Sequence, residues 1–245
     1  VSLPESERSA SERRDALKEV FAQASACVRC SELAATRKTV VFGAGNADAD
    51  LMFVGEAPGA SEDEQGLPFV GRAGKLLDQL LAEIGMERKD VFICNTLKCR
   101  PPGNRDPLPL EIENCHDYLL RQVELIQPTV ICTLGNFATK LLRGDSTGIT
   151  RLHGQPEVIE LGRRAVRLYP IYHPAAALYT PSMLETLRED FSRLPELLVL
   201  GAPEQPSAEP PELAEVPDMP DLDDVASAEQ DRQAGGAEAD QLGLF

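Results

Sequence analysis

Long hydrophobic runs are missing from this 245-residue chain. Nothing approaches about eighteen consecutive apolar residues, so no membrane-spanning helix is expected. Residues 1–14 are polar and of mixed charge, without the apolar stretch of a signal peptide. The expectation is a cytoplasmic protein. In a reducing compartment, cysteines serve as metal ligands or buried thiols more often than as disulfides. Positive charge is also scarce, with 24 Lys and Arg against 40 Asp and Glu and a formal net charge of −16. Taken whole, that balance argues against a nucleic-acid binder. The deficit is local, however. Residues 201–245 hold twelve acids and Arg232 as their one base, a net of −11 that leaves −5 for residues 1–200. Bases cluster at Arg72 and Lys75, at Lys98, Arg100 and Arg105, and at Arg163, Arg164 and Arg167. A mildly acidic domain can therefore still present a basic face.

What the chain does contain is a 42% hydrophobic fraction, enough for a sizeable core. Its organising stretch is residues 55–77. The short apolar run Leu51-Met-Phe-Val54 leads in and stops at Gly55, as a buried parallel strand does. Leu76, Leu77, Leu80, Leu81 and Ile84 then mark one helix face, with Gly85 as the stop. The loop between is rich in glycine and acids and carries one aromatic, Phe69. In an open α/β sheet, ligands bind at such carboxyl ends of strands.

Further strands are expected at 39–42, 91–94 and 130–134, the first followed by a turn at 43–46. Helices are expected over 5–24, 109–126, 136–142 and 182–198, and a hairpin over 157–161 and 165–171. Alternating strands and helices predict an α/β fold, a parallel sheet covered on both faces. From Gly201 the chain turns to Pro, Ala, Glu and Asp, and residues 201–240 are expected to form a disordered acidic linker after a folded domain of residues 1–200. Of six cysteines, Cys94 and Cys132 fall inside apolar strands and read as buried hydrophobes. Cys27, Cys30, Cys99 and Cys115 lie in loops or on a helix. Four thiolates suit zinc or an iron–sulfur cluster equally by count, and their spacing leaves both open.

Four blocks then resemble one family in order: Gly55-Glu-Ala-Pro-Gly59 with Glu62-Asp63, Gly66-Leu-Pro-Phe-Val-Gly71, Asn95-Thr-Leu-Lys-Cys-Arg-Pro-Pro and His173-Pro. This pattern, spanning roughly residues 15–198, is similar to the family 4 uracil-DNA glycosylases. The resemblance implies an α/β/α sandwich around a four-stranded parallel sheet and a 4Fe–4S cluster on Cys27, Cys30, Cys99 and Cys115. It also implies excision of uracil from DNA by a monomer. A sister group binds uracil-DNA covalently through a histidine in an added basic loop. Here Arg72-Ala-Gly-Lys75 runs straight into a helix, which favours hydrolysis over a covalent or non-catalytic uracil-DNA-binding protein.

Carried onto this chain, the resemblance makes Phe69 the ring that stacks on uracil and Asn95 the amide that reads its edge. Backbone groups of Glu56 and Ala57 would meet the base from below. His173 would donate to uracil O2, stabilising the leaving anion. Related families place an Asp where Ala57 stands, so Glu56 becomes the candidate water-activating carboxylate, with Glu62 or Asp63 behind it. Lys98, Arg100 and Arg105 are expected to grip phosphates, and Leu178 to wedge into the minor groove, although Tyr179 stands where the family often has Arg. The last five residues, Gln241-Leu-Gly-Leu-Phe245, resemble the pentapeptide by which bacterial repair and replication proteins dock on the sliding clamp.

Overall fold

The computed structural model describes residues 9–206. Chain order is α1 (Ala10–Ser25), α2 (Ser31–Thr36), β1 (Ala44–Gly45), β2 (Leu51–Gly55), α3 (Ala60–Gln65), α4 (Arg72–Glu83), β3 (Phe92–Asn95), α5 (Pro109–Ile126), β4 (Val130–Leu134), α6 (Asn136–Arg143), α7 (Ile149–Leu152), β5 (Glu157–Leu161), β6 (Arg164–Ile171), α8 (Pro174–Ala177), α9 (Pro181–Ser192) and α10 (Leu194–Val199). The sheet runs β1-β3-β2-β4-β6-β5. Its four inner strands are parallel, as the resemblance implied. β1 and β5 add antiparallel edges.

Period-two alternation splits the core across the sheet. Met52, Val54 and Ile131 face α1 and α5, while Leu51, Phe53, Val130 and Cys132 face α4, α9 and α10. Helix α4 fills its side with Leu76, Leu77, Leu80 and Leu81. Helix α1 starts at a capping box in which the Ser9 hydroxyl accepts from the Glu12 N–H and the Glu12 carboxylate accepts from the Ser9 N–H. It buries Leu17, Val20 and Ala24, whereas Phe21, expected on the packing side, is half exposed and meets the Phe42 ring edge-on. Cys94 and Cys132 are fully buried strand residues, as expected.

Three elements differ from the sequence reading. The segment expected as a strand at 39–42 runs irregularly, tied by the Val41 N–H to the Lys98 carbonyl, and β1 occupies the expected turn instead. The last helix breaks in two at Arg193, because Pro195 has no N–H to continue the ladder. The first residues of the expected linker are laid on the fold. Gln205 accepts from the Ala165 N–H at 3.2 Å and donates to the Ala165 carbonyl at 3.0 Å, and Arg167 donates to the Gly201 carbonyl at 2.9 Å. The rest of that linker and Gln241–Phe245 lie outside the described residues.

Candidate active site and thiol centre

The ends of β2, β3, β4 and β6 gather the site. Gly55 and Asn95 are in register across β2 and β3. A Cβ on Gly55 would lie 2.4 Å from Asn95 Oδ1 and 2.8 Å from Phe69 Cζ. Only glycine lets that amide and that ring come together. Asn95 is buried, and its carboxamide has no hydrogen-bond partner among the described residues, so both ends of the amide are left for a ligand.

Phe69 sits in the left-handed region at φ 52°, unusual for a bulky residue. Several contacts hold it there. The Glu62 carboxylate accepts from the N–H groups of Val70 and Gly71, both at 3.0 Å. Arg88 donates to the carbonyls of Pro68 and Phe69. Gly74 lets α4 press against the same loop, since a Cβ there would fall 1.7 Å from the Phe69 carbonyl oxygen. The Phe69 ring stacks against His173, with centroids 5.6 Å apart.

His173 caps α8, its Nδ1 accepting from the Ala175 N–H at 3.1 Å. That bond leaves Nε2 as the protonated nitrogen. Burial pushes the imidazole pKa down to about 4, against a smaller opposite pull from Glu62. The ring is therefore neutral at physiological pH and offers one N–H. Beside it opens a cleft of about 540 Å³, lined among others by Glu56, Asp106, Gly135, Asn136, Lys140 and His173. Burial, and secondarily Asp106, pushes the Glu56 carboxyl up from the usual carboxylate range. The Glu56 carbonyl accepts from Thr96 Oγ1 at 2.5 Å and the Leu97 N–H at 3.0 Å. Ala57, the next residue of this turn, is half buried and packs against the core.

The reserve carboxylates have other work. Glu62 holds the Phe69 loop. Asp63 is buried, its Oδ1 accepting from the N–H groups of Lys38 and Thr39. Asp106 and Lys140 join the cleft although nothing in their local sequence marks them. They arrive from a proline-rich loop and from the α6 face, and neither contribution has a one-dimensional signal.

The expected phosphate grip is corrected at two of its three residues. Lys98 is 1% exposed, its Nζ donating to the Asn95 carbonyl at 2.8 Å and to Gln122 Oε1 at 2.5 Å. It cannot reach a phosphate. Arg105 spends its charge on carboxylates, forking onto Glu111 at 2.9 and 2.6 Å and meeting Glu32 at 2.6 Å. Arg100 remains half exposed, bonded to Asn104 Oδ1. The residues after His173 differ in exposure. Leu178 is half buried and packs on the core, while Tyr179 is 74% exposed and its hydroxyl accepts from Arg72 at 2.9 Å.

Cys27, Cys30, Cys99 and Cys115 line one pocket, brought together by the end of α1, the start of α2, the loop after β3 and the second turn of α5. The sulfurs are met by hydrogen-bond donors. Arg37 reaches Cys99 at 3.2 Å, Asn114 reaches Cys30 at 3.5 Å and the Lys98 N–H reaches Cys115 at 3.3 Å. Arg37 also donates to the Cys27 carbonyl at 2.7 Å, so one side chain joins both halves of the set. Burial raises the Cys99 thiol against the pull of Arg37, and takes Cys115 up to about 11. Burial acts the same way on Cys27, but hydrogen bonds from Arg29 and Tyr118 outweigh it and lower that thiol. Among the described residues no three Cys, His, Asp or Glu side chains converge closely enough to hold a single ion.

Comparison with known proteins bears on this arrangement. Residues 42–195 match the family described as the Uracil DNA glycosylase superfamily. A protein named type-4 uracil-DNA glycosylase from Archaeoglobus fulgidus is 46% identical over 187 residues, covering 75% of this chain and 94% of its own. One of the same name from Thermotoga maritima is 44% identical over 167 residues, covering 68% and 85%. A type-5 uracil-DNA glycosylase from Pyrobaculum aerophilum is 29% identical over 199 residues, covering 68% and 87%.

Proposed function

The chain belongs to the uracil DNA glycosylase superfamily, and from that premise we propose that it flips uracil out of DNA and hydrolyses the N-glycosidic bond, the first step of base excision. The observation that carries this reading is the meeting of Phe69, Asn95 and His173 at the strand ends, with the Asn95 amide unpaired. Flipping costs a few kcal/mol, which stacking and edge contacts in the pocket offset. Phe69 stacks on the extruded ring. Asn95 accepts from uracil N3–H and donates to O4. Cytosine presents the opposite pattern and is refused.

As the C1′–N1 bond breaks, its electron pair leaves on the uracil. The neutral His173 donates from Nε2 to O2, where that charge collects. A preorganised donor of this kind is worth about 10²–10³ in rate. Water attacks C1′, its proton passing to Glu56, the carboxylate nearest in sequence to the base-binding turn. Burial raises the Glu56 pKa above that of an ordinary carboxylate, which makes it a better proton acceptor.

Cys27, Cys30, Cys99 and Cys115 would hold a 4Fe–4S cluster. Thiols spread around a pocket and met by N–H donors fit a cluster better than one tetrahedral ion. When bound, the group supplies a rigid cross-link between the chain after α1 and the loop after β3, and hydrolysis needs no redox step from it. Arg100 and Lys140 would be among the cations that meet phosphates. Gln241–Phe245 would dock on the sliding clamp, with the acidic segment before it as tether.

The test is release of free uracil from a labelled uracil-containing oligonucleotide by purified protein, with iron and zinc measured on the same sample. Uracil release with about four iron atoms per chain supports both parts. Binding without release overturns the enzymatic reading, and an active colourless protein holding one zinc overturns the cluster.

A further inference from the structure

Lys98 is a buried cation that the reaction as described does not use. Among the described residues it forms no ion pair with a carboxylate. Removing an ammonium from water costs several kcal/mol unless its contacts compensate. The Phe42 ring centroid lies 5.8 Å from Nζ, the Cys94 thiol is beside it, and two oxygens accept from it, the pair that indicates a positional role. One is the backbone carbonyl of Asn95. The other is Gln122 on α5, itself fully buried and fixed by donating to the Phe42 carbonyl at 2.9 Å. The Lys98 backbone N–H meets Cys115 Sγ, two turns before Gln122 on the same helix. One residue thus joins the end of β3 to the helix that bears Cys115.

We propose that Lys98 is a positioning residue for base recognition: by tying the Asn95 carbonyl to α5 it sets the direction of the Asn95 carboxamide. The Asn95 side chain has no hydrogen bond to orient it among the described residues, and its Oδ1 and the Phe69 ring both crowd the Cα of Gly55. Its aim is therefore set by its backbone. The next two N–H groups are hooked to the carbonyls of Gly55 and Glu56, and Lys98 takes the carbonyl of Asn95 itself. Recognition of a pyrimidine edge tolerates only about 10–20° of misdirection. The proposal rests on the reading of Asn95 as the residue that reads the uracil edge.

The test is a double-mutant cycle on the iron-loaded protein with Lys98→Met and Asn95→Ala, read as single-turnover uracil release and as the salt dependence of binding to an abasic duplex. Lys98→Met is expected to slow release at least tenfold with iron content and salt slope unchanged. In the Asn95→Ala background it should change the rate less than twofold, because residues acting as one unit are non-additive. An unchanged rate in Lys98→Met overturns the proposal, as does an equal loss in the Asn95→Ala background. So does a salt slope reduced by about one, the signature of a lost phosphate contact. If Asn95→Ala itself keeps the wild-type rate, the reading of Asn95 fails and this proposal with it. An impaired Asn95→Ala beside a normal Lys98→Met sinks this proposal alone. Should Lys98→Met not fold, Gln122→Met removes one acceptor and leaves the lysine. A threefold loss that vanishes in the Asn95→Ala background supports the proposal, and an additive loss overturns it.

Discussion

Burial and one hydrogen bond select the form of His173. Nδ1 is occupied by the Ala175 N–H and the ring titrates near 4, so Nε2–H faces the cleft as a donor across the physiological range. His173→Ala should slow single-turnover release by about 10²–10³ and change DNA affinity only a few-fold, measured by quench-flow and anisotropy. The same depressed pKa has a stability signature. Between about 6.5 and 4 the unfolded chain binds this proton and the folded chain does not, so stability falls as pH drops through that window. Urea melts at pH 7 and pH 5 should show a smaller loss in His173→Gln. Glu56 is shifted the other way for a carboxyl. Its charge costs stability at neutral pH, so Glu56→Gln should raise the melting temperature at pH 7 and lower the rate. The stability gain should vanish once pH is low enough to protonate Glu56. His173 and Glu56 sit in motif blocks at strand ends, and both line the cleft. Lys98 was misread because a lysine beside Arg100 looks exposed in one dimension, and only the α5 packing that brings Gln122 over it shows otherwise.

The four parallel strands were legible as elements because each is a short apolar run ended by Gly, Asn or a turn. The edges were not. A two-residue β1 has no period to detect, and α3, α7 and α8 are too short for a face to register. The acidic stretch read as open loop is instead a helical turn whose Glu62 holds the next loop by two N–H groups. Hydrogen bonds to a charged acceptor are worth about 1.5–3 kcal/mol each. Glu62→Ala should therefore release Phe69 from its left-handed backbone, lowering the rate while binding to uracil-free duplex stays within a few-fold. Gly55→Ala acts where the two loops meet. With its Cβ 2.4 Å from Asn95 Oδ1, it should cost about 1–3 kcal/mol in overpacking and abolish uracil release in the same assay.

At the scale of the molecule, the thiol set was legible by elimination, since two of six cysteines are buried in strands. The braces around it were not. Arg105 fastens α2 to the start of α5 through Glu32 and Glu111, and Arg37 spans Cys27 and Cys99, contacts between residues far apart in sequence. The domain end was also placed too early, because a glutamine in a Pro-rich segment carries no sign of docking. A chain ended after Leu200 should be less stable than one ended after Pro206 by about 1–3 kcal/mol in urea melts, since the Ala165 N–H and carbonyl lose the Gln205 amide.

That amide also decides how the fold bears load. The chain leaves the described fold at Pro206, one residue after the side chain seated on Ala165. Tension entering the fold at Pro206 is resisted first by the Gln205 hydrogen bonds, then by the Arg167 bond to the Gly201 carbonyl and the packing of Leu194 and Leu197 on α10. These few contacts, and the helices α10, α9 and α8 behind them, lie between Pro206 and the end of β6 along the chain, so they should yield before the histidine there is disturbed. Gln205 is therefore expected to act as a mechanical fuse, its amide letting go of Ala165 first when load enters at Pro206.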